Sequence, residues 1–141
     1  MPMKRDASTR RARAAGRDTT TRPGFRPGRN IAMKLPLPQY EATVAFYRDV
    51  LGLEPLDTHP PAVGFRFGDK NLWLDRCPGM GQTEVWLEIV CDDLQAAAAH
   101  LQAHGVARCD AIEPLGALPG FWISSPASVV HLVCKDEASW S

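Results

Sequence analysis

Seven residues carry side chains that could hold or transform a small molecule: Lys34, Arg66, Trp73, Trp86, Glu88, Trp122 and His131. The three indoles offer planar apolar walls, and each brings one N–H that needs a partner when buried. Glu88 has two possible uses. Facing Lys34 or Arg66 it forms an ion pair that holds two sheets in register; left alone it is an acid/base group whose pKa desolvation raises. Glu88 and His131 are therefore the catalytic candidates. No Ser-His-Asp or Cys-His ordering has enough local context to propose a nucleophile. His100 and His104 have the helical spacing of half a zinc site. No Glu lies between them, however, and His104 falls in a last helical turn, where an imidazolium meets the helix C-terminus favourably, so the pair reads as structural. His59, in Asp57-Thr58-His59-Pro60-Pro61, reads as a solvated loop residue.

The elements that must position these residues come as two similar units, Ala32 to Arg76 and Trp86 to Lys135. Each reads as a strand, a helix ending in Gly, and further strands. Gly52 and Gly105 are 53 residues apart, Gly64 and Gly120 are 56 apart, and Trp73 and His131 are 58 apart. This predicts an α+β protein of two βαβββ modules that pair and enclose a cavity between their sheets. Tyr40, Val44, Tyr47 and Leu51 form one stripe of a first helix that starts after Pro38 and ends at Gly52. Leu94, Ala97, Ala98 and Leu101 form the stripe of a second, with Asp92 and Gln95 at its start and Gly105 at its end.

Strand alternation predicts which side chains turn inward. In the first module these are Ala32, Lys34, Pro36, Arg66, Asn71, Trp73 and Asp75. In the second they are Glu84, Trp86, Glu88, Val90, Trp122, Val129 and His131. Their odd or even neighbours go under the helices: Val85, Leu87, Ile89 and Cys91 on one strand, Phe65 and Phe67 on another, Val130 and Leu132 on the last. A slip of one residue would reverse any strand.

The chain has 141 residues, 45% of them hydrophobic, room for one domain with a proper core. No apolar run approaches the roughly 20 residues of a membrane span. Residues 1–29 hold nine Lys and Arg against Asp6 and Asp18, with Phe25 as their one aromatic. Such a segment cannot repay its ordering entropy, so it is expected to be a disordered basic tail, with the folded domain at 30–141 and modules at about 30–77 and 83–135. Charge alone would suit a nucleic-acid-binding arm, but the body offers no basic face to extend the contact. No apolar signal segment precedes the body. Cys77, Cys91, Cys109 and Cys134 show no Cys-x-x-Cys spacing and read as thiols in a reducing, cytoplasmic compartment.

The segment Phe46-Tyr47-Arg48-Asp49-Val50-Leu51-Gly52, with Asp92-Asp93-Leu94 and the run from Gly120 to Leu132, resembles the glyoxalase, bleomycin-resistance and extradiol-dioxygenase superfamily, the vicinal oxygen chelate fold. The resemblance spans roughly residues 30–135. It implies four inward metal-ligand slots, which fall on Ala32, Trp73, Trp86 and His131. Only His131 can bind a metal, so the resemblance implies a protein without the family's metal centre and with no other cofactor; a shifted site using Glu84 or Glu88 with His131 is the divalent alternative. The expected function is binding of a small apolar or aromatic molecule, in the manner of the sequestering members, by a homodimer that contacts neither membrane nor nucleic acid. A metal-dependent lyase or dioxygenase, and an interaction protein with a nucleic-acid-binding arm, are the alternatives.

Overall fold

Local signals account for most of the element boundaries in the computed structural model, which describes residues 23–135. In chain order these are β1 (Phe25–Leu35), α1 (Leu37–Ala45), β2 (Val63–Phe67), β3 (Lys70–Arg76), β4 (Glu84–Cys91), α2 (Leu94–Ala103), β5 (Gly120–Ser124) and β6 (Val130–Lys135). α1 begins at Leu37, earlier than Tyr40, because the first turn of a helix tolerates proline: the missing N–H would have no helical partner there. Its end widens into a π-helical turn, Phe46–Val50, closed by Leu51 N–H to the Phe46 carbonyl at 2.9 Å. Gly52, at φ 67°, then turns the chain out of the helix. Tyr40, Val44 and Tyr47 pack on Leu35, Phe65, Leu72 and Leu74. The cap of α2 is Asp93, not Asp92: its Oδ1 accepts from the Ala96 N–H at 3.0 Å, while Asp92 meets Arg26 at 3.2 Å. Leu94, Ala97, Ala98 and Leu101 pack on Cys91, Phe121 and Val133. His104 Nδ1 lies 2.9 Å from the His100 carbonyl, so this pair closes its own helix. Among the described residues no helix is long and apolar enough to cross a membrane.

The two modules do not form two opposed sheets. They join edge to edge in one six-stranded sheet of order β2-β3-β1-β4-β6-β5. β1 runs parallel to β3, β4 parallel to β6, and the antiparallel pairing of β1 with β4 makes the seam. The helices cover one face. Three indoles and Ala32 belong to the other. The expected extra strand of each module is reduced to a single bridge, Pro55 to Phe65 and Arg108 to Ile123. Pro55 has no N–H to extend a ladder. α1 lies on β3 and α2 on β6, which leaves Val85 and Leu87 of the central β4 exposed on the helix side, along with Phe67 at the end of β2.

The parity of β6 departs from expectation. β5 and β6 are joined by residues 125–129, so Ser124 pairs with Val130 and Trp122 with Leu132. Partners across an antiparallel pair share a face. Because Trp122 faces the cavity side, Leu132 does too, and His131 turns to the helix side beside Leu87, with its Nδ1 2.9 Å from the Val129 carbonyl. Val130, Leu132 and Cys134 accordingly pack with Trp86 and Trp122. A hairpin loop one residue shorter or longer would have given the expected parity.

The folded part also starts earlier than residue 30. Phe25 pairs with Cys91, Arg26 with Val90 and Pro27 with Ile89, before a bulge resets the register at Ile31 with Leu87. Residues 1–22 of the expected tail, and 136–141, lie outside the described residues.

A buried polar chain crosses the seam at this bulge. Asn30 directs its N–H to Glu88 Oε1 at 3.1 Å and its Nδ2 to both Glu88 oxygens at 3.3 Å. Its Oδ1 accepts from Trp73 Nε1 at 2.8 Å and from Asn71 Nδ2 at 3.1 Å. Asn71 Oδ1 takes Arg66 Nη1 at 3.1 Å, and Cys134 Sγ approaches Glu88 Oε2 at 3.6 Å. Five adjacent strands are thus linked. A Cβ at Gly28 would overlap the Glu88 side chain, so glycine at the bulge makes the space that the carboxyl group fills. Glu88 therefore pairs with neither Lys34 nor Arg66: Trp86 separates it from Lys34 along the strand face, and Arg66 stands at the exposed end of the chain of bonds.

Two outcomes follow. A chain beginning at residue 30 should unfold at lower urea than one beginning at residue 23, by about 2–4 kcal/mol, since it loses the packed Phe25 and the first ladder bonds of β1; equal midpoints would show that this half of β1 contributes nothing. Asn30→Ala should cost about 2–4 kcal/mol by leaving Glu88 and the Trp73 N–H short of partners, whereas Arg66→Ala at the exposed end should cost under about 0.5 kcal/mol; similar losses for both would remove the case for a buried linkage.

Candidate functional site

The face opposite the helices carries a cavity of about 620 Å³. Its base is made by the strands: Lys34 from β1, Trp73 and Asp75 from β3, Trp122 from β5 and Leu132 from β6. Both modules contribute, because the β1–β4 seam lies between them. Two loops form the walls. Asp57, Thr58, His59 and Ala62 come from the chain before β2, and Glu113, Pro114, Leu115 and Leu118 from the chain before β5. Each wall loop leaves the sheet at one of the single bridges, Pro55 or Arg108, where strand pairing stops.

The indoles are held by their N–H groups. Trp73 donates to Asn30 Oδ1, Trp122 to the Glu113 carbonyl at 2.8 Å and Trp86 to Glu84 Oε1 at 2.8 Å. Trp122 meets Trp86 edge to face, with centroids 5.2 Å apart. Trp86 lies under the cavity rather than on its wall, packed with Ala32, Val90 and Leu132.

Lys34 is the buried cation of the site, with its side chain 7% exposed. Its Nζ lies 2.7 Å from Asp75 Oδ2, 3.2 Å from Glu113 Oε1 and 4.3 Å above the Trp86 ring. Burial disfavours its charge, but the hydrogen bond and charge of Asp75, helped by Glu113, outweigh that and raise its pKa above the ordinary lysine value of 10.5. With the folded value raised, the stability from these pairs is fully present below that ordinary value and is lost only as pH rises through the folded one. Across the neutral range the ammonium therefore pins the second wall loop to the sheet through Glu113, whose carbonyl also takes the Trp122 N–H.

Of the residues expected to bind ligand, Lys34, Trp73 and Trp122 line the cavity. Trp86 and Glu88 are buried and do not line it, Arg66 is exposed at the β2 edge, and His131 is on the opposite face, so the candidate acid/base pair Glu88 and His131 does not meet in one site. Sequence reasoning missed Asp57, Thr58, Glu113, Leu115, Leu118 and Leu132, and it placed His59 in solvent without seeing that the solvent there is the cavity mouth. One signal was available: Ile112, Leu115 and Leu118 are regularly spaced apolar residues in a segment with no strand or helix pattern, as a loop folded back on a core requires.

The positions that correspond to metal-ligand slots do not fit a divalent ion. Ala32, Trp73 and Trp86 adjoin one another in register but offer an alkyl group and two indoles, and His131 points away. Among the described residues no group of three or more His, Cys, Asp or Glu is placed to hold a metal. The carboxylates of Asp75 and Glu113 are already bridged by the Lys34 ammonium.

No protein-family model matches the chain, and no curated protein matches it significantly. Solved structures do. The chain is similar to the Mn(II)-bound glyoxalase of Novosphingobium aromaticivorans, with 24% identity and a TM-score of 0.56 over 78% of this chain and 38% of that one. It is similar to a glyoxalase/bleomycin resistance protein/dioxygenase superfamily member from Vibrio splendidus 12B01, with 15% identity and a TM-score of 0.53 over 80% of this chain and 100% of that one. A variant of homoprotocatechuate 2,3-dioxygenase from Brevibacterium fuscum aligns at 15% identity and a TM-score of 0.56, over 83% of this chain and 34% of the dioxygenase. The chain thus spans little more than a third of the glyoxalase and of the dioxygenase, but all of the Vibrio protein. Paired modules, a β1–β4 seam and a cavity on the face opposite the helices, together with these likenesses, identify the vicinal oxygen chelate fold.

Proposed function

We propose that this chain binds a small, partly aromatic or apolar molecule in the cavity between the wall loops, and that it does so without a divalent metal centre. The observation that carries this reading is an open cavity of about 620 Å³ whose two base indoles have their N–H groups bonded within the protein. That volume is typical of a ligand site, and three indoles on one face have not filled it. Within the fold the closest analogy is to sequestering members of the bleomycin-resistance type. The competing reading is a metal-dependent lyase or dioxygenase, since the neighbours include a Mn(II)-bound glyoxalase and a dioxygenase. The donor chemistry of the slots favours the first. The buried thiols of Cys91 and Cys134 support a reducing, cytoplasmic compartment. A homodimer is the expected assembly, with the exposed Val85 and Leu87 of β4 as apolar surface available to it.

Metal titration separates the two readings. Zinc, nickel, manganese and iron should leave the melting temperature unchanged, whereas a native-state site at 100-fold its dissociation constant would add about 2.7 kcal/mol. A saturable shift would overturn the metal-free reading.

Ligand binding is tested by filling the cavity. Ala62→Trp, on the wall loop, should weaken the binding of a neutral planar probe such as naphthylmethanol by about tenfold or more, with stability changed by less than about 1 kcal/mol. Trp86→Ala, beneath the cavity, should instead cost about 3–5 kcal/mol as a core truncation. Unaltered probe affinity in Ala62→Trp would place binding elsewhere.

A further inference from the structure

The hydrogen-bonding inventory of the cavity is one-sided. Its side-chain donors are committed inside the protein. The Lys34 ammonium is held by Asp75, Glu113 and the face of Trp86. The Trp73 and Trp122 N–H groups are bonded to Asn30 and to the Glu113 carbonyl, and the Thr58 hydroxyl donates to the Ala62 carbonyl at 2.9 Å. Among the described residues that line the cavity, only the exposed His59 has a ring nitrogen not so committed. The acceptors are not committed to the same extent. Asp57 has no hydrogen bond or ion pair among the described residues, and Asp75 and Glu113 each give Lys34 a single oxygen. Three carboxylates and one ammonium line the space, so the formal balance is negative. The indoles, with their N–H groups turned away, present π surfaces that attract positive charge.

From this imbalance we infer that the ligand is a cation: a planar or apolar body carrying a protonated amine, amidine or guanidine. The inference rests on the small-molecule reading above and names the class of molecule. The donors of such a group satisfy the open carboxylate oxygens, and its body covers Trp73, Trp122, Leu115 and Leu118. An anionic ligand finds the opposite. It could gain Lys34 only by displacing Glu113, which would also free the wall loop, and it would face Asp57, which has no counter-charge among the described residues, and the second oxygen of Asp75. The resident ammonium is thus a structural tie, and the remaining field selects the cation.

The test uses three probes of one skeleton, measured by calorimetry against the full chain: naphthylmethylamine, naphthylmethanol and naphthoate. The amine should bind about tenfold tighter than the alcohol, and naphthoate more weakly than both. The advantage of the amine should shrink with added salt. Asp57→Asn should remove most of it without affecting the alcohol, because Asp57 does not hold Lys34. Glu41→Gln, on the exposed side of α1, is the control and should change neither. If the three probes bind equally, or naphthoate binds best, the charge preference is wrong and the small-molecule site stands. If none binds at millimolar concentration, both readings fall. If the amine is favoured equally in Asp57→Asn and Glu41→Gln, its charge is read outside this cavity and the inference is overturned.

Discussion

Asn30 ties the two modules together at the β1–β4 seam. A β-bulge gives its N–H and its amide group a common direction, toward a carboxyl group that enters the space left by Gly28. Its amide oxygen meanwhile accepts from the indole and the asparagine of β3. A buried polar group is costly when unpaired, so each member of this chain constrains the next. The orientation of Trp73 depends on it directly. The indole ring cannot swing into the cavity without leaving Asn30 Oδ1, and this keeps the cavity open on the side of the first module.

The second module uses a different tie for the same purpose. Lys34, from the first module, reaches Glu113 in the loop before β5, while the carbonyl of that residue receives the Trp122 N–H. Glu113 is itself exposed, and an exposed pair of this kind contributes little by itself. Here the lysine is buried, lies over Trp86 and is paired with Asp75 as well, so the interaction belongs to a network. The consequence is spatial more than energetic: the wall loop is held to the sheet at Lys34 and Trp122, and the cavity of about 620 Å³ lies between them.

At three of the four positions that the family resemblance assigns to metal ligands, this chain presents Ala32, Trp73 and Trp86, side by side on the cavity face. Those indoles exchange coordination chemistry for π surface. The nearby positive charge is the Lys34 ammonium, covalently part of the chain and already balanced by two carboxylates. The proposed binding would depend on shape, aromatic contact and the surplus of acceptors.

Periodicity made the helices, their packing stripes and the modular repeat legible in the sequence, since 3.6-residue and two-residue patterns are local properties. The same periodicity placed Lys34, Trp73, Trp86 and Trp122 on one face; the metal-ligand slots, in contrast, were implied by the family resemblance. Periodicity could not assign His131, because the parity of β6 depends on a loop whose pairing is settled by contact with β5. Nor could it find the partner of Glu88: Asn30 is 58 residues away, and the bulge that brings them together depends on pairing across the seam. The early start of β1 was hidden for a related reason, as the basic, proline-containing segment from Phe25 to Arg29 has little strand character until β4 supplies its ladder. The cavity walls were least legible. Asp57, Glu113 and Leu118 lie in segments without a strand or helix period, where only the spacing of Ile112, Leu115 and Leu118 gave a signal, and their convergence over Trp73 and Trp122 exists only because β1 and β4 place two modules side by side.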